Sequence, residues 1–221
     1  MKNTTIAASF AVLLTACTQT PAPTTAQTVS AVTLGPCDTG FVEITTVAPA
    51  CGVALGADGS LTVGDHHYPP IAVSYQTDAA GQVAIPAKKL ILFPPSSQSA
   101  IRIIQACEDT EPNSLCWAVR LMNPQNDALR EVSAGKYGPE HWIRWSPEDR
   151  RVALVSRNEG AAWLHIVDTT TGVTTTYPSD AENANWQIEQ KSFAWDGDDA
   201  FTVKLQACGT CAPEERRFTL P

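Results

Sequence analysis

The sequence predicts an all-β fold, a stack of three to four antiparallel four-stranded sheets, on three observations. Short apolar or alternating runs are separated by turn residues along most of the chain, which carries 16 Pro and 13 Gly in 221 residues. That punctuation selects strands and turns over long helices. Residues 141–178 divide into four such runs joined by three turns. Finally, Trp145 and Trp195 each precede a turn and a strand and stand 50 positions apart, while Ile104-Gln105-Ala106-Cys107 returns as Leu205-Gln206-Ala207-Cys208 at a separation of 101. Two landmarks thus give one spacing, near 50 residues per unit.

The amino terminus comes first in the chain. Residues 1–16 read as an export signal: Lys2 is a short positive region, Ile6 to Leu14 an apolar core, and Thr15 and Ala16 are small residues before a cysteine. The apolar run is too short for a permanent membrane span. Leu14-Thr15-Ala16-Cys17 resembles the lipobox of bacterial lipoproteins. The resemblance implies that Cys17 is the first mature residue and carries a diacylglyceryl group, each buried CH₂ of which contributes about 0.8 kcal/mol of membrane affinity. Thr18 stands where an Asp would signal retention at the inner membrane, so in a Gram-negative cell the resemblance implies the outer membrane. Residues 17–36, rich in Thr, Pro and Ala, are expected to form the lipidated Cys and a flexible tether, and residues 37–221 the folded domain.

Six cysteines follow: Cys37, Cys51, Cys107, Cys116, Cys208 and Cys211. An even set in an exported chain favours complete disulfide pairing, for which sequence alone allows about 15 connectivities. The local pairing, Cys37 with Cys51, Cys107 with Cys116 and Cys208 with Cys211, is expected because each pair flanks a polar or Pro-rich loop between apolar runs. Facing hairpin residues lie at separations a disulfide tolerates.

The units follow in order. The first is expected to comprise strands at 41–47, 52–55, 61–63 and 71–75, and a later one surrounds Ile104. In residues 141–178, strands alternate with turns at Ser146-Pro147-Glu148-Asp149, Asn158-Glu159-Gly160 and a Thr-Gly pair. Residues 191–220 again place Trp195 before an Asp-Gly turn and two strands. Trp145, Ser146, Pro147, Gly160, Asp168 and Gly172 resemble, in order, the blade repeat of TolB-type β-propellers. The departure is Glu148-Asp149 where that family has Asp-Gly. The resemblance implies a propeller-like stack, closed or open; the alternative architecture is a β-sandwich.

Composition narrows the chemistry. With 15 Lys and Arg against 23 Asp and Glu, the formal charge of −8 argues against nucleic acid as a partner. Asp65-His66-His67 is the tight cluster of metal-capable side chains, but neighbouring strand residues face opposite ways, so both rings reach one ion only in a turn. No metal or other cofactor is expected. Cys208-Gly209-Thr210-Cys211 has redox spacing, yet too little chain follows for a thioredoxin-like fold, and a loop disulfide is favoured. Asp196-Gly197-Asp198-Asp199 lacks the later Glu of an EF-hand and reads as a turn. Of the six Trp, Trp142 and Trp186 are the least constrained by the spacing and are candidate binding residues. Common catalytic motifs are missing. The expectation is a non-catalytic envelope lipoprotein that binds another envelope protein or polymer, with an extracytoplasmic hydrolase or a metal-handling lipoprotein as alternatives.

Overall fold

The computed structural model describes residues 34–78, 81–112, 116–124, 127–132, 139–158, 161–177 and 186–221. The export signal, Cys17 and most of the expected tether lie outside them. The described chain begins at Leu34, inside the stretch read as tether. Leu34 is buried, and its N–H donates to Asp38 Oδ2 at 3.0 Å across a 3₁₀ turn over Gly35–Asp38. The packed part therefore starts before residue 37.

The described residues form an all-β structure of five antiparallel sheets. The largest has five strands, β1 (Val42–Thr45), β7 (Lys89–Leu92), β8 (Arg102–Cys107), β9 (Ala118–Asn123) and β10 (Ala128–Val132), in the order β1-β7-β8-β9-β10. A second is the four-stranded meander β11 (Pro139–Trp145), β12 (Arg151–Asn158), β13 (Ala161–Asp168) and β14 (Thr174–Tyr177). The third has β15 (Gln187–Trp195), β16 (Ala200–Gln206) and β17 (Glu214–Thr219). Two small sheets precede them, β2 (Val53–Leu55), β3 (Leu61–Val63) and β4 (His66–Tyr68), and the hairpin β5 (Ala72–Asp78) with β6 (Gly81–Pro86).

The four-stranded meander of β11 to β14 is as the sequence predicts, with Glu159 and Gly160 of its middle turn outside the described residues, but uniform four-stranded units are not. The strands expected to make up the first unit enter three different sheets. The first pairs with β7, in the register Val42↔Leu92 and Ile44↔Leu90, and so buries Ile44 completely. The next two, β2 and β3, pair with each other, and β3 also pairs with β4 through a two-residue Gly64-Asp65 turn whose Gly64 has φ 58°. Such a turn matches the twist of a tight hairpin and needs a left-handed residue. Among the described residues no sheet closes into a ring.

Strand alternation gives each central sheet two apolar faces, and the core forms in three layers. Ile44, Leu90, Leu92, Ile104 and Met122 face the small early sheets. The other face of that sheet, with Phe93, Ile103 and Leu121, meets Val152, Leu154 and Val167 of the meander. Ala153, Val155, Leu164 and Ile166, on the meander's far side, meet Phe193, Phe201 and Val203 of the third sheet. Each fully buried aliphatic or aromatic side chain contributes about 1.5–3 kcal/mol. The outward face of the third sheet is different. Glu189 lies opposite Lys204, and Lys204 opposite Glu215, all exposed in one charged row. Such a row is stabilised across strands and leaves no apolar surface for a further layer.

Candidate functional site

The polar side chains that sequence and structure bring together lie mainly at turns within successive sheets, where one sheet meets the next. In the first, Ser96 N–H donates to Ile101 O at 2.8 Å while Ser96 Oγ accepts from Ile101 N–H at 3.1 Å. In the second, Ser146 and Arg151 make the same ring at 3.0 and 2.9 Å. The second turn also holds the first, and the turn at Asp196–Asp199 between β15 and β16 holds the second. Asp149 Oδ2 accepts from the N–H groups of Gln98 and Ser99 at 2.8 and 2.9 Å. Asp198 Oδ1 accepts from Glu148 N–H at 3.1 Å, and its Oδ2 takes the Arg150 Nε–H at 2.7 Å.

Asp149 has φ 57° and occupies the place that the resembled repeat gives to Gly. Asp tolerates the left-handed region better than most side chains. Here it adds what Gly lacks, a carboxylate that caps two backbone donors of the neighbouring sheet. Asp198 is likewise buried. Burial alone would raise its carboxyl, but hydrogen bonds from the Ser146 hydroxyl, Arg150 and Glu148 N–H, with the Arg150 charge, hold it below the usual carboxylate range. Asp196, read as part of the same acidic turn, takes Arg217 Nε and a terminal nitrogen at 2.9 and 2.7 Å. The acidic loop is thus a set of arginine and backbone contacts.

Asp65 sits in the turn before β4, while His66 and His67 are strand residues rather than turn residues, and their rings point to opposite faces. His66 Nδ1 lies 2.5 Å from Asp127 Oδ1 at the β9–β10 turn, whereas His67 Nδ1 is 3.2 Å from Thr62 Oγ1. The two rings are not brought to one ion, and among the described residues no three His, Cys, Asp or Glu side chains converge for a metal. Asp127, with φ 51°, is a partner that sequence reading missed, because nothing local ties residue 127 to residue 66.

The two candidate binding tryptophans separate. Trp186 is only 7% exposed and lies under the Arg216 guanidinium, 4.4 Å from its ring centre, so it presents no ring face for a ligand. Its place in the apolar layer between meander and third sheet accounts for this. Trp142 is half-buried, edge-on to Phe193 with centroids 5.4 Å apart and with Arg144 over its face at 5.3 Å. Both rings are occupied by their own chain.

The six cysteines after residue 17 join as Cys37–Cys51, Cys107–Cys116 and Cys208–Cys211, the local pairing read from the sequence. A cavity of about 250 Å³ lies between meander and third sheet, with Ile166, Val173 and Leu220 against an Arg151–Asp168 ion pair.

Ser156 Oγ and His165 Nε2 are 2.7 Å apart, a nucleophile-and-base spacing that the sequence did not reveal because the two sit on neighbouring strands. The ring's other nitrogen meets Thr176 Oγ1 at 3.0 Å instead of a carboxylate. Ser156 and His165 are each 1% exposed, and burial pushes the imidazole down to about 4. A neutral ring sealed between two hydroxyls supports packing. It has no open approach for a substrate.

Compared with known proteins, the chain matches no family model, no curated protein and no solved structure.

Proposed function

We propose that the chain is an exported lipoprotein of the cell envelope, held to the membrane through Cys17 and presenting a disulfide-stapled, propeller-like stack of sheets as a non-catalytic binding module. In a Gram-negative cell it sits at the outer membrane, and its partner is an envelope protein or polymer. The observation that carries this reading is the cysteine partition. Of seven cysteines, six close three internal disulfides, and the seventh is Cys17 at the end of Leu14-Thr15-Ala16-Cys17. Three disulfides fit an oxidising compartment. The propeller-like part of the reading is supported by turn contacts that recur about 50 residues apart, Trp145 to Pro94 and Trp195 to Arg144. The non-catalytic part is supported by the engagement of Asp149, Asp198, Arg150 and His165 within the fold.

Membrane fractionation tests the anchor. The unaltered chain is expected to stay with membranes through a high-salt wash, and Cys17→Ser to leave them. Retention of Cys17→Ser in the washed membrane would overturn the reading.

A further inference from the structure

The three disulfides differ in access. Cys37 and Cys107 are fully buried, whereas Cys208 and Cys211 belong to the run 207–217, every residue of which is exposed. They close the tip of the β16–β17 hairpin, with Cα atoms 5.0 Å apart. The tip also has a hold that does not depend on sulfur. Cys211 N–H donates to Cys208 O at 3.0 Å, Gln206 Nε2 donates to Cys211 O at 2.8 Å, and the strands pair from Leu205↔Glu214 to Ala200↔Thr219. Opening the S–S bond leaves both sulfurs on one formed turn, placed to rejoin.

We propose that Cys208–Cys211 is a thiol–disulfide exchange site that takes two electrons from a dithiol, small or peptide-borne. This goes beyond the binding role and does not rest on the anchor. The Thr210 hydroxyl lies 3.5 Å from Cys208 Sγ. A disulfide sulfur has no proton to give, so the hydroxyl is the donor, and it stabilises negative charge on Cys208. Cys208 is therefore the leaving group, and the incoming thiolate attacks Cys211 Sγ. The bond from substrate sulfur to Cys211 forms as the Cys208–Cys211 bond breaks, and the Cys208 thiolate takes a proton from water. The substrate's second thiolate then attacks its own sulfur in the mixed disulfide and expels the Cys211 thiolate. The dithiol ends as a disulfide, and Cys208 and Cys211 as thiols.

Limited reduction of the full chain, followed by alkylation and peptide mass spectrometry, tests the proposal. With dithiothreitol in one arm and a two-cysteine peptide in the other, Cys208 and Cys211 are expected to label at least tenfold faster than the four cysteines of the other two disulfides. One equivalent of either dithiol is expected to be oxidised, and the disulfide to re-form once reductant is removed. With glutathione, the mixed disulfide is expected on Cys211, and Thr210→Val is expected to slow its formation several-fold. The Cys208→Ser/Cys211→Ser chain should keep its melting temperature within a few degrees and oxidise no dithiol. Equal labelling of all six disulfide cysteines, or loss of the hairpin on reduction, would overturn the proposal. Glutathione found on Cys208 would overturn the assigned leaving group.

Discussion

Trp145 and Trp195 meet the sheet before them in the same way: each indole N–H donates to a backbone carbonyl 51 positions upstream, Pro94 O and Arg144 O, and both distances are 3.2 Å. The first strands that carry them also share a register shift, between Pro139 and Ile143 in β11 and between Glu189 and Ala194 in β15. Extra residues on one strand of a pair bend it and re-aim the side chains that follow. In both strands the shift precedes the Trp, whose ring then spans the layer boundary with its polar edge on a carbonyl. Tryptophan suits such a place because it combines a large apolar face with one donor.

The two tryptophans are therefore expected to respond alike. Phe at either position keeps most of the apolar contact but removes the donor, so Trp145→Phe and Trp195→Phe should each cost about 1–2 kcal/mol in urea unfolding. The two contacts lie at different layer boundaries and share no partner, so the double variant should cost nearly the sum. A cost at one position several times that at the other would show that the equal distances conceal different roles.

Asp198 links the third sheet to the second through Arg150 and Glu148 N–H. Its carboxylate is buried while Arg150 is more than half exposed, so the cost of truncation falls mostly on the unpaired backbone donor and the lost charged hydrogen bond. Asp198→Ala is expected to destabilise by about 2 kcal/mol, and Asp198→Asn by less, since Asn retains an acceptor. The folded-state carboxyl lies below its ordinary 3.8, so its contribution is present above that value and is lost as pH falls through the folded pKa. Acid unfolding followed below pH 3.8 should be less steep in Asp198→Asn than in the unaltered chain.

How far these contacts are legible in the sequence depends on distance along the chain. The meander from Pro139 to Tyr177 is local: each strand pairs with the next, and the Trp-Ser-Pro turn and the alternating runs mark it. The disulfides are local too. The pairing of Val42–Thr45 with Lys89–Leu92 is not, because a four-residue strand carries too little pattern to name a distant partner. His66–Asp127 is hidden for the same reason. Asp149 was visible only as a departure from a Gly place; that it faces Gln98 and Ser99 follows from sheet stacking, which periodicity does not encode. Trp186 looked free because its spacing fits no unit, yet Arg216 and the apolar layer cover it.

Buried His165 gives a second, separate pH window. Its ordinary value of 6.5 falls to about 4 in the folded chain through desolvation. Between these values the unfolded chain binds a proton that the folded chain does not, so stability rises with pH from about 4 to 6.5 and is flat on this account above it. The gain across the window is on the order of 3 kcal/mol. His165→Gln keeps a side chain able to bond Ser156 and Thr176 but does not titrate. Unfolding free energies measured at half-unit steps should lose their slope between pH 4 and 6.5 in that variant, and an unchanged slope would place its origin elsewhere.

Arg102 is the most deeply buried cation described, at 1% exposure, and it fastens the start of the domain to the central sheet. Its guanidinium donates to Cys37 O at 2.7 Å, to Phe93 O at 2.9 Å and to Asp38 Oδ1 at 2.5 Å. Desolvation lowers its pKa and the Asp38 bond and charge oppose that shift, which makes Asp38 the compensating partner. Removing Asp38's charge leaves a guanidinium buried without a counter-ion, so Asp38→Asn should cost about 3 kcal/mol. Arg102→Met removes the charge but strands two carbonyls, and its cost should be about 2–3 kcal/mol. The double variant should be less destabilised than the sum, because the unbalanced charge is no longer present. Additive costs in a double-mutant cycle would mean that the pair is not the fastening and that the Cys37–Cys51 disulfide alone holds the amino-terminal turn in place.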